Sequence, residues 1–195
     1  MFSFGGGMLI VPSANGEIKI YQGETLGLVQ SIWTGRGKVW KVVSAENRRM
    51  FAAGKANGLV QIYVHNGSEY QKTQEFNVGF PVFGLLLDSK RLIVSGISAK
   101  VCVYESAGTE YWPHQTIETI EPLIYDLFAS EDLEQLFLGG HSGRVSTYEN
   151  VNGSYTLAEE IFIGEIVGEV FADEKELYLM IQTINSMITY YRCPD

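Results

Sequence analysis

Cysteine, histidine, basic charge and long apolar runs are all scarce in this chain, and each scarcity removes a class of function. Two cysteines, Cys102 and Cys193, in 195 residues leave no room for a zinc site of four thiolates, and such sparse usage suits a reducing compartment. No run reaches the roughly 18 apolar residues of a transmembrane helix, and the start, Met1-Phe-Ser-Phe-Gly-Gly-Gly, lacks the positive segment of a secretory signal. An intracellular chain, cytosolic or nuclear and without a membrane partner, is expected. Lys and Arg number 14 against 23 Asp and Glu, a net charge of -9. Phosphate binding rests on clustered Lys and Arg, so no nucleic-acid partner is expected. The imbalance is uneven: residues 1–100 hold 11 Lys and Arg against 6 Asp and Glu, whereas residues 101–195 hold 3 against 17.

Motifs of catalysis and ligand capture are missing as well. No serine sits in a nucleophile-elbow sequence. Carboxylates arrive as Glu131-Asp132-x-Glu134, Glu159-Glu160 and Asp173-Glu174-x-Glu176, none in the order of a calcium loop. Gly5-Gly6-Gly7 and Gly35-Arg36-Gly37-Lys38 precede no helical pattern, which a phosphate-binding loop requires. The three histidines, His65, His114 and His141, are far apart in sequence, with only His141 beside a serine in a loop. The sequence therefore predicts no catalytic residue, no metal site and no cofactor.

What the chain does contain is repetition. It is 46% hydrophobic with 21 glycines, the composition of a folded protein. The stretch from Arg49 to Phe76 reads as three short strands joined at Asn57-Gly58 and Asn66-Gly67, dipeptides suited to the positive φ angles of two-residue hairpin turns. Its middle strand recurs: Gly16-Glu-Ile-Lys-Ile-Tyr21, Gly58-Leu-Val-Gln-Ile-Tyr63, Ala99-Lys-Val-Cys-Val-Tyr104, Gly143-Arg-Val-Ser-Thr-Tyr148 and Asn185-Ser-Met-Ile-Thr-Tyr190. The tyrosines are 42, 41, 44 and 42 residues apart, and twelve residues before each stands Leu9, Phe51, Leu92, Leu136 or Tyr178. A period in the low forties built of four short strands is the sequence signature of a propeller blade, which needs neighbours to cover both faces of its sheet.

An all-β, propeller-type array of about five four-stranded repeats follows, in a single domain spanning 1–195, with repeats at 1–33, 34–78, 79–119, 120–163 and 164–195. The terminal repeats read as incomplete, giving 3, 4, 4, 4 and 3 strands, or 18. Either the chain is part of a larger ring, or a partner chain completes the open blade edge, or residues 1–7 supply a strand and the ring closes alone.

The third-strand pattern Gly-x-[Ile/Val]-x-[Ile/Val]-aromatic, preceded by an apolar strand ending in Ala53-Gly54, Ser95-Gly96 or Gly139-Gly140, resembles a WD40 repeat over almost the whole chain. Where that family has Trp-Asp, this chain has Tyr21-Gln22, Tyr63-Val64, Tyr104-Glu105, Tyr148-Glu149 and Tyr190-Tyr191, and the Gly-His pair is absent. The resemblance implies a divergent propeller without the family's His-Ser/Thr-Trp-Asp hydrogen-bond network.

Repetition without a chemical site predicts a non-enzymatic scaffold that docks other proteins into an intracellular complex. The basic set in repeat two places Arg36, Lys38 and Lys55 near one face, with Arg48 and Arg49 at the opposite end. With Trp33, Trp40 and Phe80 the first group forms an aromatic and basic rim, so Arg36, Lys38, Trp40, Lys55 and Phe80 are the candidate partner-binding residues. Trp40 and Phe83 could alternatively be packing between repeats. A second reading is a propeller hydrolase or lyase, with Asp126, Glu165, Glu169 and His141 converging at a central channel. A third has Arg36, Lys38 and Lys55 binding a peptide or phosphorylated ligand.

Overall fold

The computed structural model describes residues 3–5, 8–45, 49–130, 132–172, 178–185 and 188–192. Arg48, Glu131, Asp173, Glu174, Glu176 and Cys193 lie outside them. Among the described residues the chain forms nineteen strands in five sheets. The first sheet holds β1 (Ser3–Gly5), β2 (Met8–Pro12), β3 (Glu17–Gln22) and β4 (Gly27–Trp33). The second holds β5 (Val39–Ser44), β6 (Met50–Lys55), β7 (Leu59–His65) and β8 (Tyr70–Asn77), and the third β9 (Val82–Leu87), β10 (Arg91–Gly96), β11 (Lys100–Ala107) and β12 (Glu110–Glu118). The fourth holds β13 (Ile124–Ala129), β14 (Gln135–Gly140), β15 (Arg144–Val151) and β16 (Ser154–Phe162). The fifth has β17 (Val167–Ala172), β18 (Tyr178–Thr183) and β19 (Ile188–Arg192).

The expected strand count needs one correction. Ser3 pairs with Ile10 and Gly5 with Met8, so the first repeat has four strands and the total is nineteen, not eighteen. Two compact units hold the sheets, Met1–Val94 with Val103–His114, and Ser95–Cys102 with Gln115–Asp195. In the first, β2 lies against β5 and β6 against β9; in the second, β13 and β14 lie against β17.

A sheet packed on its neighbour, as the second is on β9 and the fourth on β17, leaves little room beside its second strand, and β6, β10 and β14 are all apolar or small there. Residues two to six of β6, β10 and β14 are all buried. Gly54, Ser95 and Gly139 each stand fifth in their strand. Ser95 is fully buried and its Oγ has no hydrogen-bond partner. An unsatisfied buried hydroxyl costs about 1–3 kcal/mol. Ser95→Ala should therefore raise the urea midpoint, by about 1 kcal/mol of stability.

In the third strands of the first, second and fourth sheets the tyrosine faces the residue twelve positions earlier: Tyr21 opposite Leu9, Tyr63 opposite Phe51, Tyr148 opposite Leu136. Phe51 and Tyr63 stack at 4.6 Å in a core shared with Ile10, Ile18 and Tyr70. Tyr63, Tyr104 and Tyr148 are buried, and Tyr21 is half-buried. The fifth sheet departs from this register: Tyr191, opposite Leu179, takes the twelve-residue place, and Tyr190 pairs with Met180.

The Asn-Gly turns also differ from expectation. At Asn57-Gly58 and Asn66-Gly67 only the glycines take positive φ, 84° and 108°. The asparagines act through their side chains, Asn57 Oδ1 accepting from Leu59 N and Asn66 Oδ1 from Ser68 N and Glu69 N. The two-residue turn with both φ angles positive is at Asn152-Gly153, between the paired residues Val151 and Ser154.

Candidate interaction surface

A bulge near the start of the inner strand sets the site. In β5, Val39 pairs with Lys55 and Lys41 with Gly54, which leaves Trp40 as the extra residue. Tyr125 of β13 and Gly168 of β17 are the extra residues of the same kind. A bulge re-aims the side chain of its unpaired residue, and Trp40 is 37% exposed although both its neighbours are buried. Its ring meets that of Phe83, second in β9 as Trp40 is in β5, edge to face at 5.0 Å. The Lys38 ammonium lies 3.5 Å from the centre of the Trp40 ring, a cation–π contact, and Arg36 is exposed between Gly35 and Gly37.

Two of the five predicted partner-binding residues do not belong to this surface. Lys55 is fully buried: its Nζ donates to the carbonyls of Thr34, at 2.7 Å, and Gly35, at 3.0 Å. Burial holds its ammonium below the usual lysine range, against the opposing pull of the Glu75 carboxylate. It fixes the loop that carries Arg36 and Lys38, with Gln61 Nε2 donating to the same Thr34 carbonyl. A peptide or phosphate site using Lys55 is thereby excluded. Phe80 is only 8% exposed; its backbone packs so closely on Gly58 that a Cβ there would lie 3.0 Å from the Phe80 carbonyl oxygen. Trp33, in contrast, is 62% exposed at the end of β4. Phe83 was legible as packing, and the structure places it at the rim of the surface as well.

The residues considered for catalysis are distributed differently. Asp126 is buried and accepts from Val170 N. Glu165 accepts from Thr183 Oγ1 at 3.0 Å and Asn185 Nδ2 at 3.2 Å, holding the loop before β17 to the turn after β18. Glu169 and His141 are exposed, His141 with its ring 6.4 Å from that of Tyr125. Glu121, which the sequence did not single out, is 3% exposed and accepts from Ser142 N and Ser142 Oγ, doing for the fourth sheet what Glu165 does for the fifth.

A second device invisible in the sequence links the outer strands. Gln74 donates to the Tyr111 carbonyl and accepts from Tyr111 N, both at 2.8 Å. Gln30 holds Tyr70 in this way, and Gln115 holds Tyr155. Each of Gln30 and Gln74 follows the extra residue of a bulge, Val29 or Thr73, directly before the pairing that begins at the third-strand tyrosine. In the fourth sheet Glu159 stands at this place, after Ala158.

The clasped tyrosine itself is a buried acid. Tyr111 is 1% exposed, and burial, with the Asp88 charge second, pushes its phenol from 10.0 up to about 12. A raised folded pKa means that this stability is fully present below pH 10.0 and is lost as pH climbs toward about 12. Alkaline titration at 295 nm should show Tyr111 ionising around pH 12 and not around 10.0, and Tyr111→Phe should remove that part of the signal.

No family model and no curated protein sequence matches the chain. No helix among the described residues is long and apolar enough to cross a membrane. In fold the chain is similar, over its whole length, to a WD40-type chain of a mitotic checkpoint complex, with a TM-score of 0.87, 13% identity and 64% of that chain covered. Over 99% of its length it is similar to a protein assigned as a 6-phosphogluconolactonase from Bacteroides fragilis, with a TM-score of 0.83, 15% identity and 65% of that chain covered. The chain thus spans just under two thirds of the length of either neighbour. Identities this low establish the fold alone, an all-β propeller-type array of repeated sheets.

Proposed function

We propose that the chain is a non-enzymatic docking scaffold of divergent WD40-like propeller type, working inside the cell as part of a multiprotein complex. The observation that supports it most is the bulged Trp40, half-exposed against Phe83 with the Lys38 ammonium over its ring. Aromatic anchors with cations beside them are the groups enriched where proteins bind one another. Among the described residues the fifth sheet holds three strands, and a partner strand paired to β19 would be a second contact. The neighbour from the mitotic checkpoint complex is itself part of an assembly.

A propeller hydrolase or lyase is the alternative, and it shares its fold with the Bacteroides fragilis neighbour. It needs Asp126, Glu165, Glu169 and His141 to act together, whereas Asp126 and Glu165 already hold Val170, Thr183 and Asn185. Affinity capture from the native source separates the readings. Wild type should retain a protein partner that Lys38→Glu with Trp40→Ala loses by more than tenfold, since a truncated aromatic anchor costs ~2 kcal/mol or more. Turnover of a lactone or ester by the purified chain, lost in His141→Ala, would establish the alternative instead.

A further inference from the structure

We propose that the groove between the ends of the third and fourth outer strands takes a short extended peptide of alternating apolar and Lys or Arg residues. This deepens the docking reading and rests on it. In the unit formed by Ser95–Cys102 and Gln115–Asp195, the groove has a volume of about 320 Å³ and runs from Gln115–Ile120 to Leu157 and Glu160. Its floor is fixed, because Gln115 and the Tyr155 backbone hold each other through two 2.8 Å hydrogen bonds.

The walls are open and mixed, with an exposed aliphatic side chain on each side among polar ones. Ile120 is 64% and Leu157 53% exposed, above the buried Ile117 and Tyr148. Large aliphatic side chains left in water on both sides of a cleft gain by being covered. The stretch from Gln115 to Ile120 is the length of about six extended residues, roughly 20 Å at the ~3.3 Å rise of a strand.

Charge selects the occupant. Glu118 and Glu160 stand on the two sides, and the unit as a whole carries 15 Asp and Glu against 4 Lys and Arg. Lys100 lies 3.1 Å from Glu118 and Arg144 3.9 Å from Glu160, but exposed pairs of this kind contribute little and exchange readily. A second groove, between the first two sheets and about 260 Å³, shares only the clasp pair, here Gln30 and Tyr70, and has Met8, Val29, Arg49 and His65 among its other lining residues and, among the described residues, no carboxylate. With a guanidinium and no carboxylate in its lining, that groove would repel a basic segment, so the preference belongs to the groove that holds Glu118 and Glu160.

The test uses the full chain and a fluorescein-labelled peptide of alternating leucine and lysine, read by anisotropy. Leu157→Asp is the informative variant: it adds negative charge, so attraction by charge alone would tighten binding, whereas docking into an apolar groove would weaken it about tenfold. Glu118→Lys with Glu160→Lys should also weaken it about tenfold, and Val29→Asp in the other groove should change it less than twofold. Tighter or unchanged binding by Leu157→Asp, an equal loss with Val29→Asp, or no saturable binding by wild type would overturn the proposal. Capture of the native partner at the Trp40 surface, retained in Leu157→Asp, would leave the scaffold reading standing without this groove.

Discussion

Valine in place of Gly54 should cost the protein ~3 kcal/mol or more and lower its melting temperature by roughly 6–12 °C, and Gly139→Val should do the same. A Cβ built on Gly54 would lie 2.4 Å from Cγ1 of Val82 and 3.0 Å from Cδ1 of Leu85, on the facing sheet. At Gly139 the distances are 2.5 Å to both Val167 and Val170. Carbon atoms rest at about 3.5–4.0 Å, so even alanine must push the sheets apart. Neither glycine has a positive φ; the demand is for space, not for backbone freedom. Gly27 supplies the control: it lies in β4, also without positive φ, and a Cβ there would meet nothing nearer than 3.9 Å. Gly27→Ala should leave the melting temperature unchanged or slightly higher.

Truncating Tyr111 should be as damaging. Its ring is buried, and its hydroxyl donates to the Asp88 carbonyl at 2.6 Å. Tyr111→Ala should lose ~3–5 kcal/mol through the cavity it leaves, whereas Tyr111→Phe should lose only ~1 kcal/mol, the value of one hydrogen bond. Gln74→Ala attacks the same place from the other strand. It leaves the Tyr111 N–H and carbonyl without the amide that satisfies both, at an expected ~2 kcal/mol. Urea unfolding followed by tryptophan fluorescence would rank the three, and an equal effect of Tyr111→Phe and Tyr111→Ala would show that the ring's packing matters less than its hydroxyl.

Much of the sheet order could be read from the tyrosine spacing, because a tyrosine and its partner twelve residues earlier are fixed by one hairpin. Tyr21, Tyr63 and Tyr148 obey that rule with Leu9, Phe51 and Leu136. The last hairpin does not preserve it at Tyr190, since the identical letter next to it, Tyr191, takes the place. Bulges escaped the sequence altogether: one unpaired residue at Val29 or Thr73 shifts the count by one and hides the clasp glutamine that follows, as the one at Ala158 hides the matching place of Glu159. The short β1 stood only as one alternative, a strand supplied by residues 1–7, because three residues are too few to display an alternation.

At the site, exposure was legible for Arg36, Lys38 and Trp40 and misjudged for Lys55 and Phe80. Lysine reads as surface by type, and its burial here depends on two carbonyls, of Thr34 and Gly35, about twenty residues away in sequence. No local pattern announces acceptors at that distance. Glu165 was ambiguous, and Glu121 passed over, for the same reason: a carboxylate that caps a turn and one poised for catalysis are the same letter.

Hydrogen exchange of the chain, alone and bound to its captured partner, addresses the docking claim most directly. The account predicts slowed exchange over Thr34–Lys41 and little change around His141 and Glu165. Protection confined to His141 and Glu165, produced by a small molecule that the chain turns over, would contradict it.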